Sequence, residues 1–285
     1  MPASAFDAET AVTPSSTPSS TPSSTPSSTP SSTLRETARY DAHLSTAWDI
    51  GDTANGGYAM TPVLRALREE AGYSDPLSIT THFLRPIQGG GDAQIDTLFV
   101  RRGRSVSVLS GTLTLGEMQR LTVIAVFGDI DDTEPDVGID IPAPTIPPPE
   151  ECVDRAELLQ GVALPIASRI DVRVPADTAI AGGSNRATTE GWVRLRDGTP
   201  PTVLSLPLFA DAFPPSLFAK LGSVGWVPTI DLTVHVRRRP VDGWIQARFE
   251  CDDLVGGRMI ESGTLWDQTG RVVARSRQLG LLLGT

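Results

Sequence analysis

Asp231 and Gln278 stand out because the chain contains their surroundings twice and the other copy lacks both groups. The set Arg85-Pro86, Gly103-Arg104, Ser110-Gly111-Thr112-Leu113 and Gly128 recurs as Arg239-Pro240, Gly257-Arg258, Ser262-Gly263-Thr264-Leu265 and Gly280. Nineteen positions separate Arg85 from Arg104 and Arg239 from Arg258, and eighteen separate Ser110 from Gly128 and Ser262 from Gly280. A spacing kept over this length marks a duplicated structural unit. Laid over each other by these anchors, the copies set Gln278 opposite Val126 and Asp231 opposite Leu77 or Ser78. A carboxylate can take up a proton, and an amide can donate and accept hydrogen bonds at once, so the pair suits the activation of a water molecule.

Asn55-Gly56-Gly57-Tyr58 leads into a helical pattern, where unpaired N–H groups and the helix dipole favour negative charge. Gly56 and Gly57 permit close approach, so Gly56, Gly57 and Tyr58 are the expected oxyanion and substrate-binding residues. Arg101, Arg102 and Arg104 form one basic cluster and Arg237, Arg238 and Arg239 another, and the planar guanidinium fork suits phosphate. Plainer readings stay open. Asp231, Thr233 and His235 could form a solvated strand face, Gln278 could be an exposed strand residue, and the arginines could protect strand edges. His43, His82 and His235 lack metal-ligand spacing, so no metal site is expected. Gly182-Gly183-Ser184-Asn185-Arg186 lacks the closing glycine of a nucleophile elbow, and Gly89-Gly90-Gly91 sits between strands rather than between a strand and a helix.

In the first unit, Met60, Val63, Leu64 and Leu67 predict a helix over Tyr58 to Ala71, with Gly72 as its stop. Strand patterns follow at Ser78 to Leu84, Ala93 to Arg101, Val106 to Leu115 and Gln119 to Phe127. The second unit has strand patterns at Ala167 to Val174 and Gly191 to Arg196. A helical stretch from Pro207 to Leu221 follows, broken by Pro214-Pro215. Four more strands are expected at Thr229 to Arg238, Gly243 to Asp252, Arg258 to Asp267 and Val272 to Leu283. A helix followed by consecutive strands reads as α+β, an antiparallel sheet against a helix, in each half.

Thr13 to Thr33, a Thr-Pro-Ser-Ser repeat, has no side chain to bury, and residues 1–33 are expected to be a disordered tail. Residues 34–128 form the first unit, an acidic and proline-rich linker spans 129–150, and the second unit spans 151–285. A formal charge of −10 over 285 residues argues against a nucleic-acid partner, whose phosphates need a basic face. No apolar run reaches membrane-span length, no secretory signal is expected because the opening residues lack a basic and an apolar region, and Cys152 and Cys251 give no disulfide framework. A cytoplasmic protein with no membrane partner is expected.

With these motifs placed, the chain resembles the double hotdog acyl-CoA thioesterases, the acyl-CoA thioesterase II-like family and its actinobacterial relatives. The resemblance runs from about Ala38 to Leu283. It is carried by Trp48, Asn55-Gly56-Gly57-Tyr58, Phe83-Leu84-Arg85-Pro86-Ile87 and Gly103-Arg104-Ser105, then Trp192 to Gly198 and Ala210-Asp211-Ala212-Phe213-Pro214-Pro215. Pro228 to Thr233, Gly263-Thr264-Leu265-Trp266-Asp267 and Ala274-Arg275-Ser276-Arg277-Gln278 complete it. It implies a tandem hotdog, each half a long helix wrapped by an antiparallel sheet, that hydrolyses a fatty acyl-CoA to free acid and coenzyme A. It also implies an attacking water held by an Asp after the second helix, a hydroxyl residue on a following strand and a Gln on the last strand.

Asp231 and Gln278 are matched to the first and third of these positions. The hydroxyl position falls within Cys251, Asp252 and Asp253, so Asp252 is the stand-in, although a second carboxylate would raise one pKa of the pair. The arginine clusters would meet the phosphates of coenzyme A, which belongs to the substrate, and no other cofactor is implied. The fused pair supplies the contact that single hotdogs gain by dimerising; a homodimer or higher homo-oligomer of double hotdogs remains the expected assembly. The alternatives are a non-catalytic acyl-CoA binder or an enoyl-CoA hydratase, the latter disfavoured because no Asp and His combination stands near either helix start.

Overall fold

The chain's computed structural model describes residues 3–16, 37–133, 139–158, 161–223 and 226–283. Its longest helix, α2 (Gly56–Ala71), begins at Asn55, whose side-chain oxygen accepts the N–H of Tyr58 at 2.9 Å, and closes at Gly72 with φ 72°. Met60, Val63, Leu64 and Leu67 are fully buried, as their spacing predicts, and each contributes roughly 1.5–3 kcal/mol by leaving water. They rest on β5 (Asp75–Phe83), β6 (Gly91–Arg102), β7 (Val106–Leu115) and β8 (Met118–Gly128). Gly111 lies directly under this helix, where a Cβ would come 2.5 Å from Val63.

The second half repeats the sheet. It opens with β9 (Val153–Asp154), and its strands β10 (Ile170–Val174), β11 (Thr188–Leu195), β12 (Thr229–Val236), β13 (Ile245–Val255), β14 (Arg258–Trp266) and β15 (Val272–Leu281) close on the expected runs. Its helix does not repeat. Among the described residues, Pro214 and Pro215 leave only α3 (Leu206–Ala210) and α4 (Phe218–Leu221) in place of a long helix like that of the first half.

The two half-sheets join through β5 and β12 into one antiparallel sheet of thirteen strands among the described residues. Thr80 and Thr233 face each other at this junction with hydroxyls 3.1 Å apart, and they mark the approximate two-fold axis. A bulge lies between Pro76 and Ser78 on β5 and between Thr229 and Asp231 on β12, so Pro76 corresponds to Thr229 and Ser78 to Asp231.

The ladders correct the sequence overlay by one residue. Seven residues separate the paired Leu113 and Leu121, but eight separate Leu265 and Ala274. Gln278 therefore corresponds to Ala125 rather than Val126. One step on a strand moves a side chain to the other face. The row Phe99–Leu109–Ala125–Ile79 across the first half becomes Cys251–Glu261–Gln278–Leu232 across the second.

One segment boundary also differs from expectation. Part of the supposed tail is core: α1 (Ala5–Glu9) buries Phe6 edge-on against Trp48, and β1 (Val12–Pro14) pairs with β2 (Thr37–Leu44). Glu9 accepts the Trp48 indole N–H at 2.7 Å and ion-pairs with Arg169. The rest of the Thr-Pro-Ser-Ser stretch lies outside the described residues. The proline-rich linker is a strap laid on the second half-sheet. Trp266, Gln246 and Trp192 donate to the carbonyls of Ile141, Pro144 and Pro147 at 2.7, 2.6 and 2.9 Å. A carbonyl presented every third residue matches the threefold repeat of polyproline II.

Candidate active site

The chain places its polar site where the start of α2 meets the end of α3. Gly57 is the close-packing point: a Cβ there would fall 2.5 Å from the Pro207 carbonyl oxygen and 2.7 Å from Leu208 Cα. Directly after α3, Asp211 points its carboxylate at the start of α2. One oxygen accepts the Gly57 N–H at 3.0 Å and the Asn55 side-chain N–H at 2.9 Å, and the Asn55 amide also reaches the Asp211 carbonyl at 2.7 Å. Gly56 presents its N–H to the same carboxylate and lies under the ring of Phe83.

The predicted oxyanion donors are thus already engaged: Gly56 and Gly57 serve Asp211, and the Tyr58 N–H serves Asn55. The Tyr58 side chain is fully buried, stacked on Trp48 at 4.9 Å, with its hydroxyl donating to the Glu9 carbonyl. The helix start holds an internal carboxylate because that carboxylate is the nearest anion to its free amides.

Burial pushes the Asp211 carboxyl up to about 6, against the pull of the Gly57 and Gly56 amides; the charge of Glu261 adds to the rise and that of Arg155 opposes it. Desolvation outweighs hydrogen bonding here. Arg155 is itself buried, donates to the Ala212 carbonyl, and is pushed down to about 10 by its burial.

Beneath α3, which packs on β12, β14 and β15, lies the polar row. Thr229 Oγ1 donates to Gln278 Oε1 at 3.1 Å, and Gln278 Nε2 donates to Glu261 Oε1 at 2.5 Å. The other Glu261 oxygen accepts both the backbone N–H, at 2.7 Å, and the hydroxyl of buried Ser216. Burial pushes the Glu261 carboxyl up, while the Ser216 and Gln278 hydrogen bonds hold it down.

Of the residues picked from sequence, Gln278 stands in this cluster and Asp231 does not. Asp231 pairs with Leu279 and exposed His82, whereas Gln278 pairs with Leu232, which faces the core. Adjacent strand residues point to opposite faces, so Asp231 and Gln278 lie on opposite sides of the sheet. The bulge after Thr229 gives that threonine, rather than Asp231, the inner face. Asp252 also faces away: an irregularity between Cys251 and Asp253 turns it outward, where it accepts from Ser262 and Arg277 at 2.7 and 2.8 Å. Neither carboxylate joins the water site expected of it.

The sequence match to the acyl-CoA thioesterase N-terminal domain covers residues 44–128, and that to the C-terminal domain covers 149–282. This chain belongs to the acyl-CoA thioesterase family. A protein described as a thioesterase II from Thermobifida fusca shares 28% identity with a TM-score of 0.83, covering 99% of both chains. A hotdog-fold protein of unknown function from Alicyclobacillus acidocaldarius superposes at a TM-score of 0.80 with 21% identity over 99% of both chains, which shows the fold. An uncharacterized protein of Mycobacterium tuberculosis is 25% identical over 267 residues, covering 85% of this chain and 90% of that one. The double hotdog architecture is therefore that of the thioesterases.

In this thioesterase-family chain the two arginine clusters share one end of the sheet, away from Asp211. Arg239 ion-pairs with Asp75 at the start of β5, and Arg101 stands opposite Val108, two positions from the Val106–Gly128 pair beside Asp75. Phe83, at the site, is the last of the nine residues of β5, roughly 25 Å away. Arg102 lies over the Phe99 ring at 4.0 Å, Arg104 leads into β7, and Arg237 and Arg238 follow β12 at the same end. Among the described residues no group of three or more His, Cys, Asp or Glu side chains is placed to hold a metal, and no helix is long and apolar enough to cross a membrane.

Proposed function

We propose that this thioesterase hydrolyses a fatty acyl-CoA through a water held by Asp211, Thr229 and Gln278. The observation that carries this reading is the Thr229–Gln278 hydrogen bond beneath a carboxylate that already caps α2. The three residues match the expected set in kind and place: Asp211 directly follows α3, Thr229 opens the next strand, and Gln278 stands on the last one. The first half has Pro76 and Ala125 where the second has Thr229 and Gln278, which supports a single site rather than two.

In this reading Asp211 takes a proton from the water as the water oxygen bonds to the thioester carbonyl carbon. The second Gln278 N–H is left for the carbonyl oxygen as it gathers charge. The C–S bond then breaks, and the leaving thiolate recovers the proton from Asp211. Water and these side chains suffice, with coenzyme A as part of the substrate. For its phosphates, exposed Arg85 beyond Phe83 and exposed Arg258 opposite Leu281 lie at the site's end of the sheet; the predicted arginines would require the nucleotide to span the length of β5. The test is free-thiol release from acyl-CoA substrates of graded chain length. Release above the uncatalysed rate that disappears in Asp211→Asn is expected, and no release with any chain length would overturn the reading.

A further inference from the structure

Glu261 is the buried acid for which this reaction has no use. The corresponding residue of the first half is Leu109, flanked by Phe99 and Ala125 in an apolar row. Both Glu261 oxygens are occupied by donors, Gln278 on one and Ser216 twice on the other, so it is poorly placed to take a proton from water itself. A buried carboxylate costs several kcal/mol unless such donors surround it. An apolar residue would fill the position at lower cost, as Leu109 does.

We infer that Glu261 is a positioning residue that sets the direction of the hydrogen-bond chain running through Gln278 to Thr229 and the water. The inference rests on the assignment of Asp211, Thr229 and Gln278 above. An ionised carboxylate only accepts, so Gln278 must turn its NH₂ to Glu261 and its oxygen to Thr229. Thr229 must then spend its single proton on Gln278, leaving only lone pairs for the water. A water that donates one hydrogen to Thr229 and the other to Asp211 turns its lone pairs toward the carbonyl carbon. With the carboxylate neutralised, Gln278 is free to flip, Thr229 is free to donate, and the water loses its fixed orientation. The groups around Glu261 on all sides are Cys251 and Asp252 from β13, Gln278 from β15, Ser216, and Asp211 with Arg155 beyond it.

Two substitutions with opposite signatures test this. Glu261→Gln keeps the size, but the Ser216 N–H holds its amide oxygen and its NH₂ then faces Gln278, which reverses the chain, so kcat should fall about tenfold to a hundredfold with KM within twofold. Removing its charge also lowers the Asp211 pKa, so the acid limb of kcat/KM should move to lower pH. Ser216→Ala removes a donor that favours ionised Glu261, so the acid limb should move to higher pH. A merely structural Glu261 would change melting temperature and lower the Glu261→Gln limb through its charge alone, but it would leave the plateau kcat unchanged and would not move the Ser216→Ala limb to higher pH.

The inference is overturned if Glu261→Gln keeps the parental plateau kcat, wherever its acid limb falls, while Asp211→Asn, Thr229→Val and Gln278→Ala are impaired. Full activity in those three variants would instead sink the underlying site assignment. Should Glu261→Gln fail to fold, the Ser216→Ala shift decides alone, and an unmoved limb ends the proposal.

Discussion

The Asp211 carboxylate accepts the Gly57 N–H at 3.0 Å, tying the residue after the short helix of the second half to the first turn of the long helix of the first. One contact thus joins the halves and caps a helix, and it holds the proposed base in place. One carboxylate oxygen makes the bonds to both Gly57 and Asn55, and in the proposed mechanism the other meets the water.

Asp211→Asn should separate catalysis from stability. Its amide oxygen can still accept from Gly57, but it cannot take a proton, so kcat should drop by roughly 10²–10⁴. The folded chain holds the Asp211 proton up to about 6, above the usual carboxylate range of the unfolded chain. The folded state therefore binds that proton more tightly, and its advantage is lost as pH rises through this window. At pH 8 the variant should melt above the parent, and the gap should close below about pH 4. Thermal melts across that range, beside thiol-release assays, check both halves. The parental kcat/KM should correspondingly decline as pH falls through about 6.

Opposite faces of one sheet give a sharper comparison. Asp231→Asn and Asp252→Asn change outward-facing carboxylates, the second already paired with Arg277 at the surface, and both should leave kcat within about twofold. Gln278→Ala and Thr229→Val change the inner face and should each lower kcat by at least tenfold, to the degree that a misplaced water slows attack. Side-by-side kinetics with one acyl-CoA are enough. Equal losses in all four variants would contradict the register argument.

The duplication made most of the fold legible, since paired glycines, serines and arginines at constant spacing locate the turns and strands of both halves. It could not locate the site by itself, because register depends on turn length. One extra residue before Ala274 moved the true partner of Gln278 from Val126 to Ala125, and the bulge at Ile230 exchanged Asp231 for Thr229 on the inner face. Two signals were nonetheless present. Glu261 directly precedes Ser262-Gly263-Thr264-Leu265, where Leu109 precedes the first copy of that motif. Asp211 is an acid inside the apolar run Leu206 to Phe213, a setting that forces either burial with partners or a break in the helix. Its partners on Asn55 and Gly57 lie some 150 residues away, beyond the reach of local pattern.

Gly57→Ala tests whether the seat of α3 on α2 is as rigid as the backbone contacts indicate. The new methyl would meet the Pro207 carbonyl and Leu208 Cα, both backbone atoms that cannot rotate away. Overpacking of this kind costs about 1–3 kcal/mol. It would also push Asp211 from the α2 amides, so activity should fall further than the loss of stability accounts for. Urea melts with parallel activity assays on the folded fraction distinguish the two effects.

Phe6→Ala asks whether the first residues are part of the fold or an appendage. Phe6 is 2% exposed, lies 5.8 Å edge-on from Trp48, and has the Arg65 guanidinium 5.6 Å from its ring centre. Trp48 in turn stacks on Tyr58 in the first turn of α2, three residues after its Asn55 cap. Removing the ring from so closed a setting should cost about 3–5 kcal/mol, and the melting temperature should fall by several degrees. A disordered tail would show no change at all. Because Trp48 and Tyr58 position the helix start that holds Asp211, the same variant should lose activity at temperatures well below its own melting point, where Phe83→Leu, which alters only the wall beside Gly56, should change KM more than stability.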